Sequence, residues 1–347
     1  MDSKELYVGF VSDTEDNHPN YVPGWVGFGS DYNKNPPTLR WSWTQYWSDL
    51  SNCFNKNDVP VTWLIRVDDG PVYDQMLIQN KEKILELRSL GDEIGIHVHT
   101  WLWNSNLSKW IQTKNPDDEV RIVKKSIKMF KKHLGFNPAS ARMGWNTMSN
   151  EIMRIFNANG FKVDASAIPG TLSQGKFSKR DNIYDWSKTP YNPYHPSFTD
   201  YQAEGDMKIL EIPLSTLKKK SGNFAKLVNK LSSFPSLSYF LPIARFFNLT
   251  PHHHFYISPY WSSSQYDKII DTYHKQAIKN GLAFLVGYFH GCDILNPLNS
   301  KLNLIFQEHI QKIINKINSL NGVEVKFATL CQMADKYVNH DLNKNFR

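Results

Sequence analysis

Glu93-Ile94-Gly95-Ile96-His97-Val98-His99-Thr100-Trp101 is an apolar-alternating run that ends in two histidines separated by one residue. Residues two apart on a strand project to the same side, so both imidazoles reach toward one point beyond the strand end. That is a metal-ligand arrangement, although the same pair also suits a surface strand with half-buried rings. Other strand-like segments end in ionisable groups too: Ser12-Asp13-Thr14-Glu15-Asp16 after the first, Arg142-Met143-Gly144-Trp145 after the fourth, Asp164-Ala165-Ser166 after the fifth, and Phe289-His290-Gly291-Cys292-Asp293 near the last. Singly, each has a plain explanation: turn or cap for Asp13 and Asp16, a surface ion pair for Arg142, an N-cap for Asp164, a core histidine for His290. At successive strand ends they converge on one face, where parallel α/β folds hold their sites. A first-strand carboxylate with His97 and His99 makes three protein ligands, the number a catalytic Zn²⁺ keeps while leaving a position for water.

The elements that must position these groups follow from periodicity. Short β-rich runs alternate with helical ones, which predicts βα units and a parallel sheet or barrel. Strands are expected near Leu6–Ser12, Val61–Arg66, Glu93–His99, Ala139–Gly144, Phe161–Ala167, Ile209–Pro213, His254–Pro259, Leu282–Phe289 and Val323–Ala328. Helices over Lys81–Leu90, Asp118–Leu134 and Ser149–Asn159 each stop at a glycine, Gly91, Gly135 and Gly160. The repeated helix, glycine, strand order predicts one α/β domain over residues 1–347, with insertions at about 17–45, 170–205 and 218–250. The first two are aromatic-rich, so Trp25, Trp41, Trp43, Tyr191 and Tyr194 are candidate substrate walls. The third is basic and apolar, and reads as a packing helix ahead of a lid or a membrane-surface contact.

The chain has 347 residues, of which 14% are aromatic, more than a core needs and suited to flat platforms for sugar rings. Its net charge of +7 suits anionic partners. The lysines are spread along helical segments, however, and no nucleic-acid motif accompanies them, so nucleic-acid binding is not expected. Cys53, Cys292 and Cys331 lie far apart, which argues against a disulfide framework. No apolar leader or stretch of membrane-spanning length is seen, and a cytoplasmic protein is the expectation.

The order of motifs resembles the polysaccharide deacetylase (NodB-homology, carbohydrate esterase family 4-like) family. The resemblance runs through Asp-x-Glu on strand one, Glu-Ile-Gly-x-His on strand three, Arg-x-Gly-Trp on strand four, Gly-Phe-x-x-Asp-x-Ser on strand five and Phe-His near the end, spanning roughly residues 6–335. It implies a distorted (β/α) barrel and metal-dependent hydrolysis of an acetyl group from a sugar. The cofactor it implies is a divalent cation, Zn²⁺ foremost, with Co²⁺, Mn²⁺ or Ni²⁺ as alternatives, and the partner a carbohydrate.

Carried over residue by residue, the resemblance makes Asp13 the general base, with Glu15, His97 and His99 on the metal. Asp16 is a fallback carboxylate. Arg142 orients the base, Asp164 tunes a histidine, and that histidine, His290, is the general acid. Trp145, Trp101, Trp25 and Tyr191 are the expected substrate contacts.

One position departs from the family pattern. The family's second histidine ligand stands four residues beyond the first, and here that residue is Trp101. Either His99 substitutes with a changed loop, or fewer protein ligands hold the metal, or it is absent. The variant form resembles a branch linked to lipopolysaccharide and surface-polysaccharide synthesis. An amidohydrolase of the same fold acting on a small amide, and a non-catalytic glycan-binding relative, are the competing readings. His252-His253-His254 reads first as a loop, then as a substrate contact, then as a replacement ligand. Glu204, Asp206 and Glu211 flank another strand and offer further polar contacts.

Overall fold

The computed structural model describes residues 4–15, 43–68, 74–106, 109–113, 115–174, 183–218, 252–258, 263–290 and 304–345. Eight parallel strands form the central sheet: β1 (Glu5–Thr14), β2 (Val61–Arg66), β3 (Glu93–Val98), β6 (Ser140–Met143), β7 (Val163–Asp164), β10 (Leu210–Glu211), β13 (Leu282–His290) and β14 (Glu324–Phe327). Three two-stranded antiparallel sheets decorate it among the described residues: β4 (Trp101–Asn104) with β5 (Lys109–Gln112), β8 (Leu172–Gln174) with β9 (Ile183–Asp185), and β11 (Thr216–Lys218) with β12 (His252–His254). Helices α1 (Trp43–Asn55), α2 (Gln75–Ser89), α3 (Pro116–Leu134), α4 (Asn150–Ala158), α5 (Ser263–Asn280), α6 (Leu304–Asn318) and α7 (Leu330–Asn345) complete the described elements.

The order across the sheet is β10-β7-β6-β3-β2-β1-β13, with β1 at its heart. One edge of β1 pairs with β13 from Glu5 to Asp13, and the other is shared, β14 taking residues 5–8 and β2 residues 10–14. The sheet curls into a half-barrel. The chain after β10 spans the open side, where Ser215 N donates to Val286 O (3.0 Å) and Val286 N donates to Ser215 Oγ (2.8 Å).

Alternation along the strands sorts residues between two apolar clusters. On β1, Leu6, Val8 and Phe10 pack against the helices with Trp47, Phe54 and Ile310. Val11 instead packs with Leu64, Val163, Val286 and Tyr288 in the barrel interior, beside Met333 of α7. The same rule sends Asp13 and Glu15 inward. The helix ends explain themselves locally. For α3, Asn115 Oδ1 accepts from Asp117 N (3.0 Å), Pro116 opens the first turn, acidic residues follow it, and Gly135 closes the helix at φ +82°.

Eight of the nine expected strands overlap β1, β2, β3, β6, β7, β10, β13 and β14, with shifted ends, whereas the one expected at His254–Pro259 meets β12 at His254 alone, and β12 lies outside the central sheet. At residues 161–167 the ladder covers only Val163–Asp164 because the backbone beyond turns to bond side chains such as Glu211. The 17–45 insertion lies outside the described residues up to the start of α1, as does 218–250 beyond Lys218. Cys53 and Cys331 are free thiols, and Cys292 lies outside the described residues. Among the described residues no helix is long and apolar enough to cross a membrane.

Gly95 marks the tightest strand contact beneath the site. A Cβ there would overlap Ser140 Oγ and come within 2.7 Å of Ser140 O and 2.5 Å of Leu64 Cδ2. Gly95→Ala is expected to cost about 1–3 kcal/mol, the range for overpacking, read as a lower urea midpoint at unchanged m-value.

Candidate metal centre

The site stands on strand ends. Asp13, and Glu15 one residue past the strand end, follow Val11 on the inward side of β1, His97 is the penultimate residue of β3, and Arg142 is in register with His97 on β6. His290 closes β13 in register with Asp13. All except His290 are buried. Its side chain is 28% exposed, against 1% for His97 and 2% for Asp13, so His290 stands at the mouth and the others at the floor.

Distances divide the cluster into two carboxylate environments. Arg142 Nε lies 2.9 Å from Asp13 Oδ1 and 3.0 Å from Oδ2, its hydrogen bond directed at Oδ2. The same guanidinium donates to Ala165 O (2.8 Å) and Asn146 Oδ1 (2.8 Å) and lies 4.3 Å over the Tyr288 ring. Glu15 Oε2 receives His99 Nε2 at 2.8 Å and Arg66 Nη1 at 3.3 Å. Glu15 Oε1 faces His290 Nε2 (3.3 Å) and His97 Nε2 (3.7 Å).

Burial pushes the Glu15 carboxyl up, but His99, His97 and His290 together outweigh it and hold the group well below the ordinary carboxylate value. Burial lowers His99 from 6.5 to about 3 against the pull of Glu15. At neutral pH the pair is therefore a carboxylate beside a neutral imidazole, and the tautomer with its proton on Nδ1 leaves the Nε2 lone pair for an ion.

Glu15, His97 and His99 each bring one donor atom, all within 4.8 Å of one another. Both ring nitrogens of buried His97, His99 Nδ1 and Asp13 Oδ1 lack a hydrogen-bond partner among the described residues. Leaving a buried polar nitrogen unpaired costs about 1–3 kcal/mol, and a bound ion, an ordered water or a catalytic role accounts for such groups. Two imidazoles and a carboxylate form a donor set suited to Zn²⁺ and neighbouring first-row cations. The residues present fit a divalent ion.

Trp101 stays in extended chain, opening β4, rather than following a helical turn. His97, His99 and Trp101 thus project in sequence to one side, and the Trp101 ring stacks on His99 with centroids 5.6 Å apart. Trp101 is buried, so it is a wall behind His99 and not the open substrate platform expected of it. Half-buried Trp145, at φ +59°, meets Trp101 edge-on at 5.7 Å.

Asp164 also departs from expectation. Its neighbours Val163 and Ala165 pack inward with Tyr288, so alternation turns Asp164 to the other side of the sheet, away from His290. There it accepts from Ser166 Oγ (2.9 Å) and Ser166 N (3.1 Å). Its other neighbour is Glu211, which accepts from Ala167 N at 3.1 Å. Burial raises both carboxyls, and Asp164 pushes Glu211 further, well above its ordinary value, so Glu211 carries the proton between them. Among the described residues no ion pair joins Asp164 to His290. Asp164 is linked to the site through Ser166, whose Oγ accepts from Met143 N (2.8 Å) beside Arg142, and through the charge of Arg142 itself.

Tyr194 is buried and donates to Tyr201 O (2.7 Å), which makes it a packing residue. Half-buried Tyr191 has Tyr273 of α5 as its electrostatic neighbour. Glu204 and Asp206 are exposed. The histidine triplet forms β12, not a loop, and His254 Nε2 lies 3.2 Å from Tyr288 Oη, outside the three-donor cluster. Trp25, Trp41, Asp16 and Asp293 lie outside the described residues, as does the side chain of Trp43. Sequence reasoning missed Arg66 and Asp68, both fully buried. The signal was present: an arginine ending the otherwise apolar run Val61-Thr62-Trp63-Leu64-Ile65 stands at a strand end like the other site residues.

No protein-family model and no curated protein matches this sequence significantly. Solved structures do match. A protein described as a probable polysaccharide deacetylase from Pseudomonas aeruginosa PAO1 has a TM-score of 0.52 at 15% identity, with 96% of this chain and 91% of that one covered. Puue allantoinase has a TM-score of 0.50 at 12% identity, covering 96% and 90%. The likeness establishes the fold: the chain has the distorted (β/α) barrel of the polysaccharide deacetylases.

Two predictions follow from the geometry. A Cβ on Gly144 would run into the His99 ring, so Gly144→Ala is expected to displace His99, seen as shifted imidazole resonances, and to weaken Zn²⁺ binding by roughly 10–100-fold in calorimetric titration. The second concerns acid stability. The unfolded chain accepts a proton on His99 near pH 6.5, whereas the buried ring refuses it until about pH 3. Stability from this residue is therefore lost as pH falls below 6.5. His99→Asn is expected to flatten the slope of unfolding free energy between those limits.

Proposed function

We propose that this protein is a metal-dependent hydrolase that removes acetyl groups from a carbohydrate amide or ester. The observation that carries the reading is the Glu15, His97, His99 donor cluster set directly beside an arginine-clamped carboxylate and a histidine at the mouth. Glu15, His97 and His99 would hold the ion. Bound there, a divalent cation supplies Lewis acidity, acidifying water and polarising an acyl carbonyl.

The remaining work belongs to the side chains. Arg142 fixes Asp13 through Oδ2 and leaves Oδ1 as the atom that takes a proton from the attacking water. His290, 3.6 Å from Asp13 Oδ2 and the most exposed member, is placed to protonate the departing nitrogen or oxygen. Burial of Asp13, Arg142 and His97 keeps bulk water from the base. In the setting the sequence resemblance implies, the substrate is an intermediate of cell-surface polysaccharide synthesis in the cytoplasm.

A second reading is hydrolysis of a small amide, favoured by the comparable structural likeness to an allantoinase. The two separate in one assay. Zn²⁺-loaded protein is offered N-acetylated and O-acetylated oligosaccharides and, separately, allantoin. Acetate release is expected only from the sugars, and consumption of allantoin alone would favour the second reading. Asp13→Asn is expected to lower turnover by about 10²–10⁴-fold, the usual worth of a general base, while bound Zn²⁺ stays near one per chain. His97→Ala is expected to lose ion and activity together. Acetate release that survives His97→Ala, from protein that takes up no metal at micromolar levels, would sink the metal-dependent reading.

A further inference from the structure

Arg66, Asp68 and Glu15 form a buried chain that none of the roles above requires. Arg66 ends β2 in register with His97, which is in turn in register with Arg142 on β6. His97 is therefore flanked by two guanidiniums, and each reaches a different β1 carboxylate: Arg142 takes Asp13 and Arg66 takes Glu15. Asp68, two residues beyond Arg66 and on the same side, accepts from Arg66 Nε at 2.6 Å. Arg66 and Asp68 are both fully buried.

We propose that Arg66, held in place by Asp68, is a positioning residue that orients Glu15 and sets how tightly the Glu15, His97, His99 cluster takes a divalent cation. The inference rests on the metal-dependent reading above. Two arguments support it. The first is orientation. Glutamate has one more rotatable bond than aspartate, so its carboxylate needs an external hold. Arg66 Nη1 and His99 Nε2 both occupy Oε2, which turns Oε1 toward His97 and His290.

The second argument is charge. A guanidinium beside a cation's ligand opposes the cation unless something cancels it. Among the described residues, the carboxylates Asp13, Glu15 and Asp68 outnumber the guanidiniums Arg66 and Arg142 by one, a surplus of negative charge for the ion to meet. Without Asp68 that surplus vanishes. Asp68 thus lets Arg66 act as a geometric clamp without repelling the ion. Partners of this kind behind a ligand typically change metal affinity by 10–100-fold.

The test uses the full chain with Co²⁺ as the probe, titrated at pH 7 and followed by its visible d–d absorption, with far-UV circular dichroism to confirm the fold. Wild type is expected to bind one Co²⁺ per chain. Arg66→Met is expected to bind about 10–100-fold more weakly with altered bands, and Arg66→Lys to recover part of the loss, since it restores the charge without the fork. Asp68→Asn is expected to weaken binding as well, because the carboxylate that holds Arg66 Nε then loses its charge. A merely structural role would leave affinity and bands unchanged in folded variants, and that result in both Arg66→Met and Asp68→Asn overturns the inference while the metal reading stands. Should Arg66→Met fail to fold, Asp68→Asn decides by the same criterion. A wild type that takes no Co²⁺ overturns the metal reading and this inference together.

Discussion

Two carboxylates stand two residues apart on the inward face of one strand, and the upper half of the barrel is arranged around keeping both of them charged. Removing a carboxylate from water costs several kcal/mol even after relaxation, and Asp13 and Glu15 are both buried. Arg142 compensates Asp13, while Arg66 and His99 compensate Glu15. The two guanidiniums need partners of their own, which is why Asp68, Asn146 and Ala165 O converge on them. The period-two pleat places the whole arrangement: β1 brings both carboxylates inward, and β3 brings both histidines to meet them.

The same pleat explains which parts of the site the sequence revealed. Asp13, Glu15, His97, His99, Arg142 and His290 were all visible as ionisable residues at strand ends, because parallel strands with apolar bodies announce their ends by a change of chemistry. Their convergence follows from topology alone. Asp164 looked equivalent, yet its strand is two residues long, and a single step of alternation carries its side chain to the opposite face. Which face a residue takes depends on register with neighbours far along the chain. Glu211, its partner 47 residues later, was legible as a polar flank but not as a proton-sharing neighbour. Arg66 and Asp68 are hard to single out because they end and follow a strand whose apolar run resembles core.

Trp101 shows a different limit. At the fourth position after His97 it reads as a lost ligand when the chain is imagined to turn helically there. In the fold the chain remains extended, and His99, two residues on, already reaches Glu15 at 2.8 Å. Trp101 then fills the space behind it, stacked on the imidazole. Gly144 serves the same ring from the other side by having no side chain to displace it. On the proposed reading, a change in local backbone path moves the donor from one residue to another and turns the vacated position into packing.

The central claim is that His97, His99 and Glu15 together form a metal centre, with Asp13 outside the ligand set. X-ray absorption at the zinc edge of Zn²⁺-loaded protein, joined to a crystal structure of the same form, tests it most directly. The account predicts one ion with two imidazole nitrogens at about 2.0–2.1 Å and a carboxylate oxygen at about 2.0–2.2 Å, assigned to His97, His99 and Glu15. An ion held by the His252–His254 strand, or one that takes Asp13 in place of His99, would contradict it.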